Sequence, residues 1–385
     1  MNAIVHTKLI LEDGIVWDGA ITFENGRIVQ AGPANRVSIP SGTDCFDAGG
    51  LYTAPGLIDI HNHGGSEHLF TESPAECAEQ ILAHGVTTVL PTLYANLSRE
   101  QMLEGAGKIA LAARTGAGRI IGGLYMEGPY MCSSLGSFQN QMKWQGEIRR
   151  SDYLPLLEGL GAQVRVWAID PARPGIEEFM KDCKRYSPEA VFSLGHSSAT
   201  AAECRRVKKL GVRNQTHHSD SGKAPGFAQG TIGAGCDEFT LYDPDLFAEL
   251  ICDENGIHVA PDLIKLVVKT KGVERIILIS DSMPRRGDFR NNEAAGIAYG
   301  PDLNYDDQGM LAGSRLTLDS ACRNLMKHTG YGLCHAIRFA SLNPARMLGI
   351  DDEVGSLEPG KRANLIVMDD MVQIRHVYLD GELEK

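Results

Sequence analysis

Residues 54–65 read APGLIDIHNHGG, an apolar run that ends in two histidines separated by one asparagine and followed by two glycines. Successive side chains of a β-strand point to opposite faces, so the pattern predicts that His61 and His63 share a face and that Asn62 points away. Two imidazoles on one face suit a divalent metal that accepts nitrogen and oxygen ligands. On this stretch alone, the alternative of two polar residues at a strand end stays open.

The composition is typical of a soluble globular protein and argues against several other classes of protein. The 385 residues are 43% hydrophobic and 22% charged, and a net charge of -12 argues against general affinity for nucleic acid or anionic membranes. The sequence has neither a charged leader nor an apolar run of roughly 18 residues, so we expect a cytoplasmic protein without a membrane span. Nine cysteines without a Cys-x-x-Cys pair predict reduced, mostly buried thiols.

Both ends of the chain predict short strands. Three β-like runs occupy residues 4–48, with Asn25-Gly26 as a hairpin signal between the second and the third. Residues 355–384 show the same β-like pattern, with LIVM and HVYL as predicted strands. We therefore predict a small β-sandwich domain made of residues 1–54 and 349–385, which flank a middle domain of residues 55–348.

The middle domain alternates strand-like and helix-like segments, the pattern of repeated βα units. Eight such units predict a (β/α)8 barrel like that of triosephosphate isomerase. The predicted strands are 57–61, 86–90, 119–126, 164–169, 190–195, 212–217, 256–259 and 275–281. The predicted helices are 74–84, 99–114, 176–186, 199–210 and 261–271. Residues 285–315, rich in Gly, Asn and Asp, are predicted to form a long insertion after the eighth strand.

Polar residues close these predicted strands, and in a barrel all of those strand ends open onto one face. They are His61, His63, Glu127, His196, His217, His218, His258 and Asp281. Imidazoles with a carboxylate indicate a zinc site, with iron, manganese or cobalt as alternatives. Asp281 follows the apolar run RIILIS, and a carboxylate beside a metal can take a proton from water and return it to a leaving group. Capping of the following turn is the alternative role for Asp281.

These segments resemble the amidohydrolase superfamily and, within it, the N-acetylglucosamine-6-phosphate deacetylase family. The resemblance covers almost the whole chain and is carried by PGLIDIHNHGG, GLYMEGPY, SLGHSSAT, THH, NGIHV, ISDSM, LAGSRLTLD, ASLNPARMLG and GSLEPGKRANLIVMD. The Glu-Gly-Pro in the second of these segments is specific to the deacetylase branch. The resemblance implies a metal-dependent enzyme that hydrolyses N-acetylglucosamine 6-phosphate to glucosamine 6-phosphate and acetate.

The resemblance also implies roles for individual residues. Glu127, His196 and His217 would hold the principal metal, and His61 and His63 would complete a second site, so one or two ions bind. Asp281 would be the proton shuttle, and His258 would contact the sugar or the amide carbonyl. The implied substrate-binding residues are Gln139, His218, Asp220, Ser221, Lys223, His258, Ala312 and Gly313. A homodimer is implied as well.

Three departures from the family pattern leave the substrate open. Asp220-Ser221 stands where Asn-Ala usually cradles the phosphate, and Lys223 stands where an arginine from a neighbouring subunit is common. The loop MCSSLGSFQNQMKW lacks the usual Lys-Gly-x-His. N-acetylgalactosamine 6-phosphate and an unphosphorylated sugar are therefore alternatives, and Lys143, Arg285 and Arg286 are either another anion site or surface charge. A non-catalytic scaffold is the remote alternative, because no ligand position is lost.

Overall fold

The computed structural model consists of an eight-stranded parallel barrel and a separate sheet built from both chain ends. It describes residues 1–65, 67–222, 231–284, 300–306 and 309–385. The predicted fold class is therefore confirmed. Within the described ranges, no helix combines the length and apolar character needed to cross a membrane. All nine cysteines are free and six of them are buried, as the sequence predicted.

The described residues contain 18 strands. In chain order they are β1 (Asn2–Leu11), β2 (Gly14–Glu24), β3 (Arg27–Pro33), β4 (Asp44–Asp47), β5 (Tyr52–Pro55), β6 (Leu57–Asn62), β7 (Val86–Tyr94), β8 (Leu124–Glu127), β9 (Val164–Ile169), β10 (Val191–Leu194), β11 (Val212–Gln215), β12 (Phe247–Ile251), β13 (Ile276–Ile279), β14 (Leu303–Tyr305), β15 (Leu311–Ser314), β16 (Leu365–Met368), β17 (Ile374–Leu379) and β18 (Glu382–Leu383).

The sheet of the chain ends has the strand order β18-β17-β16-β5-β1-β2-β3, and β4 pairs with β1. The predicted hairpin between β2 and β3 is confirmed, because Asn25 and Gly26 have φ of 51° and 76°, as a tight primed turn requires. A hydrophobic cluster that includes Ile4, Phe23 and Leu365 stabilises this sheet. The boundaries of the predicted domain, at residues 54 and 349, stay a prediction.

The barrel runs in the order β6 to β13, with every neighbouring pair parallel. It closes through a parallel bridge between Asn62 and Ser282 and a hydrogen bond of 2.9 Å from the Asp281 backbone N–H to the His61 carbonyl. The interior is a large cluster of buried apolar side chains. All eight strands therefore present their carboxyl ends on the same face, where a barrel carries its active site.

Ten helices lie in the described ranges. They are α1 (Pro74–Leu82), α2 (Arg99–Ala112), α3 (Arg150–Leu160), α4 (Ile176–Tyr186), α5 (Ala201–Lys208), α6 (Cys236–Tyr242), α7 (Pro261–Lys271), α8 (Leu318–Thr329), α9 (Leu333–Ala340) and α10 (Leu342–Leu348). The five predicted helices are all present. Their ends are set by local caps: Ser98 and Gln101 form a capping box at α2, and Thr200 and Glu203 form one at α5.

The predicted seventh strand was wrong. It is not residues 256–259 but β12, whose sequence FAELI is buried at every position and pairs with β11 and β13. The carboxylate of Asp253 accepts hydrogen bonds from the backbone N–H groups of Asn255, Ile257 and His258, which folds this segment into a turn. The third strand was also predicted too early, because Gly116–Ile120 is a 3-10 helix.

After β13, part of the predicted insertion is a hairpin of β14 and β15. The Ser314 backbone N–H donates to the Asp281 carbonyl at 2.7 Å, which fixes the hairpin against the carboxyl end of β13. Residues 285–299, with Arg285 and Arg286, lie outside the described residues. The hairpin places Ala312 and Gly313 next to the face on which the strands end.

Candidate metal centre

Three side chains from β8, β10 and β11 meet at the carboxyl end of the barrel. Glu127 is the last residue of β8, while His196 and His217 follow β10 and β11 by two residues. Glu127 Oε1 lies 2.9 Å from His196 Nε2 and 3.2 Å from His217 Nε2, and the two Nε2 atoms are 3.1 Å apart. Their ligand atoms are close enough to hold one ion.

The histidine pair of β6 forms a second group with the same glutamate. His61 Nε2 lies 3.8 Å from Glu127 Oε1, and His63 Nε2 lies 3.4 Å from Glu127 Oε2. The Asn62 side chain points away and donates to Asp59 and to the Ser280 hydroxyl, as strand alternation predicted. Glu127 is therefore shared: its Oε1 atom faces the first group and His61, and its Oε2 atom faces His63.

The donor atoms of both groups fit a divalent metal. Among the residues that the structure describes, the buried atoms His61 Nε2 and Asp281 Oδ1 find no hydrogen-bond partner, although unpaired buried polar atoms are costly. Burial lowers the pKa of His217, but its hydrogen bond to Glu127 and nearby carboxylates outweigh burial and raise the pKa to about 10. The cluster thus favours positive charge beside Glu127, which a metal ion also supplies. Imidazole with carboxylate suits zinc, iron, manganese or cobalt.

Asp281 lies directly beside the histidine pair. Its Oδ1 atom is 3.1 Å from His63 Nε2 and 3.5 Å from His61 Nε2. Burial alone would raise the pKa of Asp281, but the two imidazoles outweigh it, so the pKa lies below its ordinary value. The carboxylate is therefore ionised and available to accept a proton.

Three of these residues have strained backbone. His196, His217 and Asp281 have φ of 38°, 24° and 48°, a region that residues other than glycine rarely adopt. Such conformations cost about 1–3 kcal/mol each and cluster at functional sites. All three residues lie two positions after the end of a strand, so the strain falls on residues of the candidate site.

A cleft opens above the cluster. Among its lining residues are His63, Tyr94, Asn96, Glu127, Met131, Phe138, His196, His217, Asp220, Ser221, His258, Asp281 and Gly313. Gly313 has φ of 55°, and a Cβ atom there would lie 2.7 Å from the Asp281 carbonyl oxygen. Only glycine therefore fits at this position of the wall.

His258 lies in the wall of the cleft on a turn rather than on a strand. Its Nδ1 atom is 3.2 Å from Asp253 Oδ2, and its Nε2 atom is 3.2 Å from the Gly313 carbonyl oxygen. Burial lowers the pKa of His258, but Asp253 and other carboxylates outweigh this effect and raise it. The turn holds the ring rigidly beside the position where a substrate would enter.

Three residues that were predicted to contact the substrate have other partners in the structure. Gln139 donates to the Gly136 carbonyl at 2.9 Å, and Ala312 is buried, with its carbonyl accepting from Asn304. His218, on the opposite face from His217, contacts the Ser219 hydroxyl and the Asp237 carbonyl. Lys223 lies outside the described residues. Of the predicted substrate contacts, the structure brings Asp220, Ser221, His258 and Gly313 to the cleft.

Sequence reasoning missed three residues that support the cluster: Tyr125, Glu249 and Asp253. Tyr125 stacks on His61 with ring centroids 4.4 Å apart, and Glu249 accepts from His61 Nδ1 at 3.3 Å. A single glutamate within FAELI was the available signal for Glu249. Glu249 was missed because the seventh strand was predicted at residues 256–259 rather than at β12.

The whole chain resembles known proteins. Residues 52–383 match the amidohydrolase family. The chain is 31% identical to N-acetylgalactosamine-6-phosphate deacetylase of Escherichia coli O157:H7, over 98% of this chain and 97% of that protein. It is 25% identical to N-acetylglucosamine-6-phosphate deacetylase of Haemophilus influenzae, over 99% and 98% of the two proteins.

Solved structures show the same fold. The crystal structure of N-acetylglucosamine-6-phosphate deacetylase from Pasteurella multocida superposes with a TM-score of 0.84 at 21% identity, over 99% of both chains. That from Thermotoga maritima has a TM-score of 0.80 at 26% identity, over 100% of this chain and 99% of the other. Members of the matched family are metal-dependent hydrolases, in agreement with the donor cluster. The chain belongs to the amidohydrolase family, in its branch of N-acetylglucosamine- and N-acetylgalactosamine-6-phosphate deacetylases.

Proposed function

We propose that this protein hydrolyses the acetamide of N-acetylglucosamine 6-phosphate, which yields glucosamine 6-phosphate and acetate. The observation that carries the proposal is the position of Asp281, 3.1 Å from His63 and beside two donor groups that share Glu127, at the floor of an open cleft. Relatives of this chain are named for the same reaction. A purely structural cluster would have no need of an ionised carboxylate facing the cleft.

Each residue of the site has its own role in amide hydrolysis. A divalent cation held by Glu127, His196 and His217 would supply Lewis acidity, which polarises the acetyl carbonyl and acidifies water. Asp281 accepts the proton of the attacking water at its carboxylate and then donates it to the departing amine nitrogen. His258, held by Asp253, contacts the sugar or the amide carbonyl from the cleft wall.

We infer that zinc fills both groups, since each offers at least two imidazoles and a share of Glu127. We also infer a homodimer in the cytoplasm. The nine free thiols support a reducing compartment, and the family resemblance supports the dimer. The division into a barrel of residues 55–348 and a domain of both chain ends belongs to the same proposal.

N-acetylgalactosamine 6-phosphate is the second candidate substrate. The relative that is 31% identical over almost the full length carries that name. The two sugars differ only in the orientation of one hydroxyl group, and the metal cluster contacts the acetamide rather than that hydroxyl. The cluster therefore supports the chemistry equally for both epimers.

The phosphate is supported by the names of the relatives rather than by the cleft. Asp220 and Ser221 line the cleft, and the Asp220 carboxylate repels a phosphate dianion at close range. A phosphate must therefore bind at a distance from Asp220 or meet a cation supplied by another part of the chain.

The deciding experiment measures acetate release by zinc-loaded protein from four substrates. They are N-acetylglucosamine, N-acetylgalactosamine and the 6-phosphate of each sugar. We expect the highest kcat/KM with N-acetylglucosamine 6-phosphate. A higher value for the galacto epimer would select the second candidate, and inert substrates with bound zinc confirmed would refute the assignment to amino sugars.

A further inference from the structure

We infer that Glu249 is a positioning residue for the second metal site, which it prepares by holding the His61 ring. The inference rests on the proposed function, since it concerns the metal that the histidine pair would bind. Glu249 lies in the middle of β12 and has no exposed surface. An ionised carboxylate at such a position is costly unless several donors surround it.

Four donors surround this carboxylate. Oε2 lies 3.3 Å from His61 Nδ1 and accepts from the His217 backbone N–H at 3.2 Å. Oε1 accepts from the Tyr125 hydroxyl at 3.2 Å and from the Asn214 side-chain amide. None of these four donors belongs to a lysine or an arginine. Among them, His61 is the only candidate metal ligand whose ring, rather than its backbone, contacts Glu249.

The contact with Glu249 decides which nitrogen of His61 faces the cluster. A carboxylate acceptor keeps the proton on Nδ1, so the lone pair of Nε2 is free to bind a metal. His61 Nε2 is buried, makes no hydrogen bond and lies 3.8 Å from Glu127 Oε1 and 3.5 Å from Asp281 Oδ1. The unpaired atom thus points at the place where the second ion would be bound.

Tyr125 fixes the plane of the same ring. The two rings stack with centroids 4.4 Å apart and planes at 29°, and the Tyr125 hydroxyl is itself bonded to Glu249. The His63 ring has an edge contact with Tyr94 instead, with centroids 5.3 Å apart, and its Nδ1 atom has no hydrogen-bond partner among the described residues. Within the histidine pair, Glu249 therefore orients His61.

Glu249 affects the two sites unequally. In the first site it contacts only the backbone of His217, whose ring is held separately by the Asp220 carbonyl at 3.2 Å. In the second site it contacts a ligand ring directly. Replacing Glu249 should therefore weaken the second ion and spare the first.

The test compares zinc content and affinity in the wild type, Glu249→Gln and Glu249→Leu. Zinc per chain is measured by mass spectrometry after dialysis against a series of chelator-buffered zinc concentrations. We expect two ions in the wild type, and a weaker second ion, by about 10-fold in the glutamine variant and about 100-fold in the leucine variant. The affinity of the first ion is expected to stay within about 3-fold of the wild type.

The matched control is Asp59→Asn. Asp59 is also a buried carboxylate of the barrel interior, but its side-chain partners are Asn62 and Ser280, and no ligand ring contacts it. Tyr125→Phe, which keeps the stacking, provides a milder variant in case the leucine variant fails to fold. It is expected to weaken the second ion by less than Glu249→Gln does.

Distinct outcomes separate this inference from the proposed function. Two ions of unchanged affinity in Glu249→Leu would overturn the inference, and so would equal weakening of both ions or one ion only in the wild type at saturating zinc. If the wild type binds two ions but releases no acetate, the proposed function fails while the role of Glu249 stands. Weaker binding of the second ion in Glu249→Gln, with unchanged affinity in Asp59→Asn, supports the inference.

Discussion

At the scale of single residues, Asp281 combines burial, positive φ and an oxygen without a hydrogen bond. Each of these properties costs free energy of folding. The nearby imidazoles of His61 and His63 outweigh the effect of burial and hold the pKa of this carboxylate below its ordinary value. A residue that costs this much and faces the cleft is best explained by proton transfer during the reaction.

We therefore predict that Asp281→Asn lowers kcat about 10²- to 10⁴-fold, because an amide of the same shape cannot accept a proton. Zinc content, measured by mass spectrometry, is expected to stay at the wild-type value. Asp59→Asn serves as the control and should retain kcat. Loss of zinc in Asp281→Asn would instead identify Asp281 as a metal ligand and contradict its role as proton shuttle.

The sequence predicted most of the candidate ligands, because histidines and a glutamate at strand ends form a local pattern. The strand alternation of His61, Asn62 and His63 is an example that the structure bears out. Glu249 was missed although it is the one charged residue of the apolar run FAELI, because the seventh strand was predicted at residues 256–259. Its partner His61 is 188 positions away, so their contact has no local signature in the sequence.

At the scale of elements, the segment after β12 shows where sequence pattern and structure diverge. Val259 and Ile257 in GIHV suggest a strand. Instead, the Asp253 carboxylate accepts hydrogen bonds from the backbone N–H groups of this segment, which therefore forms a turn. The same carboxylate contacts His258 Nδ1 at 3.2 Å. One aspartate therefore replaces a strand with a turn and holds a candidate substrate contact.

The pKa of Asp253 leads to a prediction about this turn. Burial alone would raise the pKa, but hydrogen bonds from His258 and from the backbone of Ile257 and His258 outweigh it and lower the pKa to about 2. Because the folded pKa lies below the unfolded value of 3.8, the stabilisation is complete above pH 4 and is lost as the pH falls towards 2.

We accordingly predict that Asp253→Asn lowers the free energy of unfolding by about 2 kcal/mol at pH 7, because charge-assisted hydrogen bonds are weakened. Urea unfolding of both proteins at pH 7, 4 and 3 measures the difference, which should narrow only below pH 4. KM is expected to rise more than kcat falls, since Asp253 holds His258 in the wall of the cleft. A difference that does not vary with pH would show that the Asp253 charge does not stabilise the turn.

At the scale of the whole molecule, eight βα units and two β-rich ends predicted the architecture correctly, since hydrophobic periodicity extends along the whole chain. Closure of the barrel depends on contacts that the sequence does not display, such as the Asn62–Ser282 bridge. The donor cluster lies across the junction between the first and the last strand of the barrel, because His61 lies on β6 and Asp281 follows β13. Metal binding and barrel stability should therefore be coupled.

This coupling gives the last prediction, that removal of zinc destabilises the whole barrel. The candidate ligands come from β6, β8 and the segments after β10 and β11, so the site exists only when these elements are assembled. An ion that binds only the folded state adds about 2.7 kcal/mol at a free concentration 100 times its Kd. Calorimetry of chelator-treated protein should show a lower Tm, which rises with each increase of free zinc. Magnesium, which prefers oxygen ligands, should leave Tm unchanged. An unchanged Tm after confirmed removal of zinc would show that the cluster and the barrel are not coupled.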